Sequence, residues 1–137
     1  MIASFGRRYS LSASHRLHAP QLDAEANRAA YGKCNNPHGH GHNYVVEVVV
    51  SGKVDPVTGM VVDLVAMDSE VQSLVLDRFD HKNLNLEPEF VNLVPTTENL
   101  CKAVHRLLVG RFGAAELERV RVEETENNFF ECGREGE

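Results

Sequence analysis
The sequence predicts an α+β domain in which two helices cover one face of an antiparallel four-stranded sheet, in the order β-β-α-α-β-β. Three patterns predict it. Near both ends of the chain, apolar residues alternate with polar ones, as in strands with one buried face. In the middle, Leu64, Met67, Val71, Leu74 and Val75 recur at helical spacing, and so do Leu100, Val104, Leu107 and Leu108. Gly, Pro and Asn gather at the joins.

Residues 2–17 make the first strand. Tyr9, Leu11, Ala13 and His15 fall on one face, and Ser10, Ser12 and Ser14 on the other. His15 closes an apolar row, where it is either a core histidine with a satisfied hydrogen bond or a ligand. Residues 18–33 form a long connection. Leu22 to Tyr31 is rich in helix formers and Gly32 supplies a stop, so a short helix delivers Cys34 to the second strand.

The stretch Cys34-Asn35-Asn36-Pro37-His38-Gly39-His40-Gly41-His42-Asn43-Tyr44 packs one thiol and three imidazoles into nine residues. It runs into Val45-Val46-Glu47-Val48-Val49-Val50, a strand of β-branched residues. With the strand starting near His40, the side chains of His40, His42, Tyr44, Val46 and Val48 share one side. An H-x-H pair alone is equally the mark of a His-rich surface loop. If strand 7–15 lies beside strand 42–51, however, His15 converges with His40 and His42. Three neutral imidazoles with a fourth position open is the catalytic zinc pattern, whereas structural zinc sites close all four. The oxygen-rich ligand set of calcium or magnesium is missing from this stretch.

Asp55-Pro56-Val57-Thr58-Gly59 is a turn, and Asp63 is an N-cap for a helix over about 64–78. Asp80-His81 follows, either a solvated dipeptide or an imidazole oriented by its neighbouring carboxylate. Thr96 caps the second helix, Glu98 sits in its first turn, and Cys101 falls off the apolar stripe and reads as incidental. In the last pair of strands, the row Val120, Val122, Glu124 puts a carboxylate on the apolar face. Glu124 therefore has a specific partner or lies at a frayed, wet strand end. Residues 126–128 turn the chain, Phe129 to Cys132 closes the sheet, and the polar tail 133–137 is expected to be mobile. The bare sheet edges invite other subunits.

Composition narrows the function. A chain of 137 residues with net charge −6 reads as one domain, 1–137, and disfavours bulk binding to nucleic acid or membrane. No apolar run has the length of a membrane span, and the N-terminus, with Arg7 and Arg8, does not read as a signal peptide. Three dispersed cysteines read as reduced thiols in a cytoplasmic protein.

Several of these segments together resemble the 6-pyruvoyl-tetrahydropterin synthase family, which includes the 6-carboxy-tetrahydropterin synthases of queuosine biosynthesis. They are Ser12-Ala13-Ser14-His15-Arg16-Leu17, Gly32-Lys33-Cys34-Asn35-Asn36-Pro37 and His40-Gly41-His42-Asn43-Tyr44. Val54-Asp55-Pro56 to Gly59-Met60, Asp80-His81-Lys82-Asn83-Leu84, Thr96-Thr97-Glu98-Asn99, Glu124-Thr125 and Asn127-Asn128 extend the resemblance over nearly the whole chain. It implies the tunnelling fold (T-fold), a homohexamer of two trimers that form barrels, and active sites at subunit boundaries.

The resemblance also implies roles. His15, His40 and His42 would hold Zn2+, and Cys34 would move protons on the substrate side chain in a relay with Asp80 and His81. Glu124 would anchor a pterin ring, with Thr96, Thr97 and Glu98 lining the same pocket. Apart from what the resemblance implies, Arg16, Lys33 and Lys82 are cations suited to hold the triphosphate or are surface cations. The implied reaction is a zinc-dependent lyase step from 7,8-dihydroneopterin triphosphate to 6-pyruvoyl-tetrahydropterin, releasing triphosphate. It needs no redox cofactor, because the ring is reduced at the expense of the side chain. The carboxy-forming reaction is the alternative, but its enzymes usually carry a shorter Cys-x-x-x-His-Gly-His, and here six positions separate Cys34 from His40. A silent pterin- or zinc-binding member would keep the histidines and lose the thiol or relay, and Cys34, Asp80 and His81 are all present. His38 and Asn85 depart from the family pattern; His38 is read as a fourth metal contact or a second base.

Overall fold
Two long strands set the frame. β1 (Ile2–His15) and β2 (His40–Lys53) pair antiparallel along their whole length, from Ile2 opposite Lys53 to His15 opposite His40. The computed structural model describes residues 1–133, so the expectation for the tail falls, beyond Gly133, outside the described residues. Side-chain alternation on this pair sends Leu11, Ala13 and His15 from β1, and Tyr44, Val46, Val48 and Val50 from β2, into one buried face.

β4 (Glu116–Thr125) pairs antiparallel with β2, and β5 (Asn128–Cys132) with β4. The sheet is not the all-antiparallel, four-stranded one predicted from the sequence. A fifth strand, β3 (Lys82–Asn83), runs parallel beside Ala13 and Ser14 at the other edge, giving the order β3-β1-β2-β4-β5. Two residues are too short to show a strand period, so pattern reading had nothing to detect.

The helices obey their caps. α1 (Ala24–Tyr31) starts at Asp23, whose carboxylate accepts from the Ala26 N–H, and ends at Gly32 with φ 57°. α2 (Leu64–Val71) is capped by Asp63 and continues through a π-helical turn, Gln72–Leu76, into α3 (Asp77–Phe79). Met67, Val71, Val75 and Phe79 are the fully buried members of that continuous segment. α4 (Thr97–Leu108) starts at Thr96, whose hydroxyl accepts from the Asn99 N–H. Its buried face is wider than the predicted stripe. Because α4 packs against both β4 and β5, Cys101 is fully buried alongside Leu100 and Val104, correcting its reading as incidental. Among the described residues, no helix is long and apolar enough to cross a membrane.

Gly39 leads the chain into β2. Its φ is +72°, and a Cβ added there would lie 3.0 Å from the His15 carbonyl oxygen. A side chain would meet the backbone beside His15 as well as an unfavourable conformation. Gly39→Ala is expected to lower stability by about 1–2 kcal/mol or more. The control is Gly59→Ala, at φ +74° with nothing within 4 Å of the added carbon. Urea denaturation midpoints compare the two, and a larger loss at Gly39 measures the contact.

Candidate metal and catalytic site
The end of the β1–β2 ladder brings the three predicted histidines together. His15 and His40 are cross-strand partners, and His42 stands two residues further along the same face of β2. His15 Nε2 lies 3.0 Å from His40 Nε2, and His42 Nε2 lies 2.8 Å from Glu124 Oε1. One ligand atom from each of His15, His40, His42 and Glu124 falls within 4.8 Å of all the others. The sequence reading kept Glu124 apart from the metal ligands, whereas β4 beside β2 delivers it to the group.

The polar surroundings suit a cation. Pro95 O, which can only accept, is 2.7 Å from His15 Nδ1. That ring nitrogen therefore carries the proton, and the Nε2 lone pair faces the cluster. Tyr44 backs the same nitrogen at 3.3 Å. Burial, reinforced by the neighbouring imidazoles, lowers the pKa of both His15 and His40, which keeps them neutral as ligands must be. His42 Nε2 is buried close to the Glu124 carboxylate yet out of line for a hydrogen bond, so it has no such partner. An orphaned nitrogen among two neutral imidazoles and a carboxylate fits a zinc-type ion.

Glu124 is held from behind. Thr97 Oγ1 donates to its Oε2, and Asn128 Nδ2 lies 3.4 Å from the same oxygen. One carboxylate oxygen is thus fixed by α4 and β5 while the other faces the histidines. Burial, followed by the charges of Glu124 and Cys34, raises the Tyr44 pKa and keeps the phenol protonated.

The other predicted residues are distributed around this group. Cys34 is half-buried on the turn before β2, and its carbonyl accepts from the Leu17 N–H at 2.9 Å. Arg16 binds the Asn35 carbonyl at 3.2 Å and, with His15, His38 and Asn85, lines a cleft of about 260 Å³. A second cleft of about 400 Å³ runs past His42, Ser12, His81 and Lys82. Lys33 and Glu98 are exposed, and Thr96 spends its hydroxyl on the α4 cap. His38 is exposed and lies outside the four-residue group, in the wall of the cleft it shares with His15 and Arg16.

Asp80 and His81 stand on the β3 side of β1. Asp80 Oδ1 accepts from the Ser12 N–H at 2.8 Å, and the His81 N–H donates to Ser12 O at 2.6 Å. The His81 ring is 82% exposed, with Nε2 3.7 Å from Asp80 Oδ2. Within the described residues, no hydrogen bond or ion pair joins either of them to Cys34.

Sequence reasoning missed three supports. Tyr44 was in the right row and could have been found by periodicity. Pro95 acts through its carbonyl, which no side-chain pattern reveals. Asn85 accepts from the Arg16 N–H at 2.7 Å and donates to the Arg16 carbonyl at 3.0 Å, clamping the residue after His15.

Residues 5–135 match the family model described as 6-pyruvoyl tetrahydropterin synthase. The chain is 46% identical over 121 residues to the 6-pyruvoyl tetrahydrobiopterin synthase of Poecilia reticulata, covering 88% of this chain and 82% of that protein. It is 44% identical over 128 residues to the Homo sapiens protein of the same name, covering 93% and 88%. The solved structure of Caenorhabditis elegans 6-pyruvoyl tetrahydropterin synthase superposes with a TM-score of 0.89 at 41% identity, covering 98% of this chain and 96% of that one.

The four-residue group makes a metal-binding prediction. Zinc should titrate to one ion per chain, and chelation should leave the far-ultraviolet circular dichroism intact, because the core is built without the ion. At free zinc about a hundredfold above Kd, the stability gain should be about 2.7 kcal/mol. Since burial holds the His15 and His40 pKa values below the ordinary imidazole range, affinity should hold near neutrality and fall in acid as the rings protonate. Isothermal titration at neutral and acid pH checks both.

Proposed function
The chain belongs to the 6-pyruvoyl tetrahydropterin synthase family and is an enzyme of that kind, and on this premise we propose that it converts 7,8-dihydroneopterin triphosphate to 6-pyruvoyl-tetrahydropterin with release of triphosphate, using zinc. The observation that carries this reading is the convergence of His15, His40, His42 and Glu124 at the end of the β1–β2 ladder, next to the turn bearing Cys34.

His15, His40 and His42 would hold the ion. A zinc ion bound there supplies a Lewis acid for the substrate's side-chain oxygens. Cys34 takes and returns protons on that side chain. A thiol that moves protons needs a base to exchange them with, and Asp80 with His81 supplies it. The exposed His81 ring favours a relay completed between subunits, with Cys34 of one copy meeting Asp80 and His81 of another.

Glu124 anchors the pterin ring: its carboxylate, braced by Thr97, accepts paired N–H groups. Thr96 and Glu98 belong to the same first turn of α4. Arg16, Lys33 and Lys82 supply positive charge for the triphosphate. The assembly we propose is a homohexamer of two trimers, with the edges of β3 and β5 available for pairing. Three free thiols accord with a reducing, cytoplasmic setting.

Zinc-loaded protein incubated anaerobically with 7,8-dihydroneopterin triphosphate should yield the pyruvoyl-tetrahydropterin mass and free triphosphate. Cys34→Ala should keep zinc and substrate binding while turnover falls about 10²–10⁴-fold. A carboxy-tetrahydropterin mass with acetaldehyde would move the chain to the other reaction of its family, and unchanged substrate would reject the catalytic reading. Glu124→Gln separates anchor from ligand. As a pterin anchor, it should raise the pterin Kd at least tenfold with zinc stoichiometry unchanged; as an obligatory ligand, it would lose zinc first.

A further inference from the structure
Cys101 and Cys132 bring their sulfurs to 3.3 Å of each other, one from α4 and the other from edge strand β5. Neither belongs to the metal group or the proposed relay. Their settings differ. Cys101 is fully buried, and its sulfur also faces the carbonyls of Val120 at 3.3 Å and Phe130 at 3.5 Å. Cys132 is partly exposed on the outermost strand.

The two thiols share an S–H···S contact in which either can be the donor, and the Cys132 sulfur also lies 3.4 Å from the Cys101 carbonyl oxygen. Exposure makes them unequal as nucleophiles: a partly exposed sulfur lies in contact with a fully buried one. That is the arrangement of an attacking thiol with its resolving partner.

We propose that Cys101 and Cys132 form a thiol–disulfide exchange site that takes small-molecule disulfides and closes into a reversible bond within the chain. The Cys132 thiolate attacks one sulfur of the small disulfide. A mixed disulfide forms, and the other half leaves as a thiolate. Cys101 then gives up its proton to that thiolate or to solvent and attacks the Cys132 sulfur, expelling the second half. The two protein thiols lose two electrons, and the small disulfide gains them as two thiols. The bond would fasten α4 to β5 one helical turn beyond Thr97, the residue that braces Glu124. It also restricts the unfolded chain between 101 and 132, so oxidation stabilises the protein.

The test uses the full chain in buffers of stepped oxidised-to-reduced glutathione ratio, quenched with an alkylating agent and mapped by peptide mass spectrometry. Expected is a Cys101–Cys132 cross-link within one chain, with only Cys34 of the three cysteines still alkylated. The thermal midpoint should rise by several degrees and return on reduction. Cys101→Ser should stop at a glutathione adduct on Cys132, and Cys132→Ser should form no cross-link. A persistent adduct on Cys132 in the unsubstituted chain, a bond between chains, or alkylation of both residues at the oxidising limit would overturn the proposal. The unsubstituted chain decides the matter even if a serine variant fails to fold.

Discussion
Everything at the site depends on the register of β1 against β2. Because side chains alternate along a strand, a slip of one residue would turn His40 and His42 away from the core and bring Gly41 and Asn43 in. The ladder resists this along its length: Tyr44, Val46, Val48 and Val50 are all fully buried, and each would have to leave the core together. The apolar rows thus hold the imidazoles in place, and Tyr44, the row member next to them, also meets His15 through its hydroxyl. By the usual measure of roughly 1.5–3 kcal/mol per buried aliphatic side chain, the cost of a slip exceeds what any single ligand contact supplies.

The second link runs through α4. Its cap residue Thr96 follows Pro95, whose carbonyl orients His15, and its first helical residue, Thr97, braces Glu124. A helix packed against β4 and β5 therefore sets the tautomer of one ring and the aim of one carboxylate. Orienting groups of this kind commonly change metal affinity by about 10–100-fold without being ligands.

The long elements and the histidine convergence were legible in the sequence because periodicity reports directly on burial. Asp63 and Thr96 could be recognised as caps because an N-cap needs a short side-chain acceptor just before an apolar repeat. What escaped was whatever depends on contacts distant in the chain without a repeating pattern. β3 is two residues long, Pro95 acts through its backbone, and Asn85 grips the backbone of Arg16. Cys101 and Cys132 are 31 positions apart and meet only because α4 lies across the β4–β5 hairpin. Glu124 could be recognised as a buried-face carboxylate, but its closeness to His42 needed the order of strands in the sheet.

The π-helical turn at Gln72–Leu76 has a bearing on how this segment could change length over generations. Such a turn accommodates a residue more than a regular α-helix does, inside the helix instead of in a loop. Removing that residue would let the turn close into regular α-helix while the residues beyond it keep their facing. Phe79 would hold its buried place, and Asp80 and His81 would still meet Ser12. The same deletion from a regular helical stretch would instead rotate everything downstream by about 100° about the axis. The turn is thus a place where this segment can lose a residue without redirecting the two side chains that follow it.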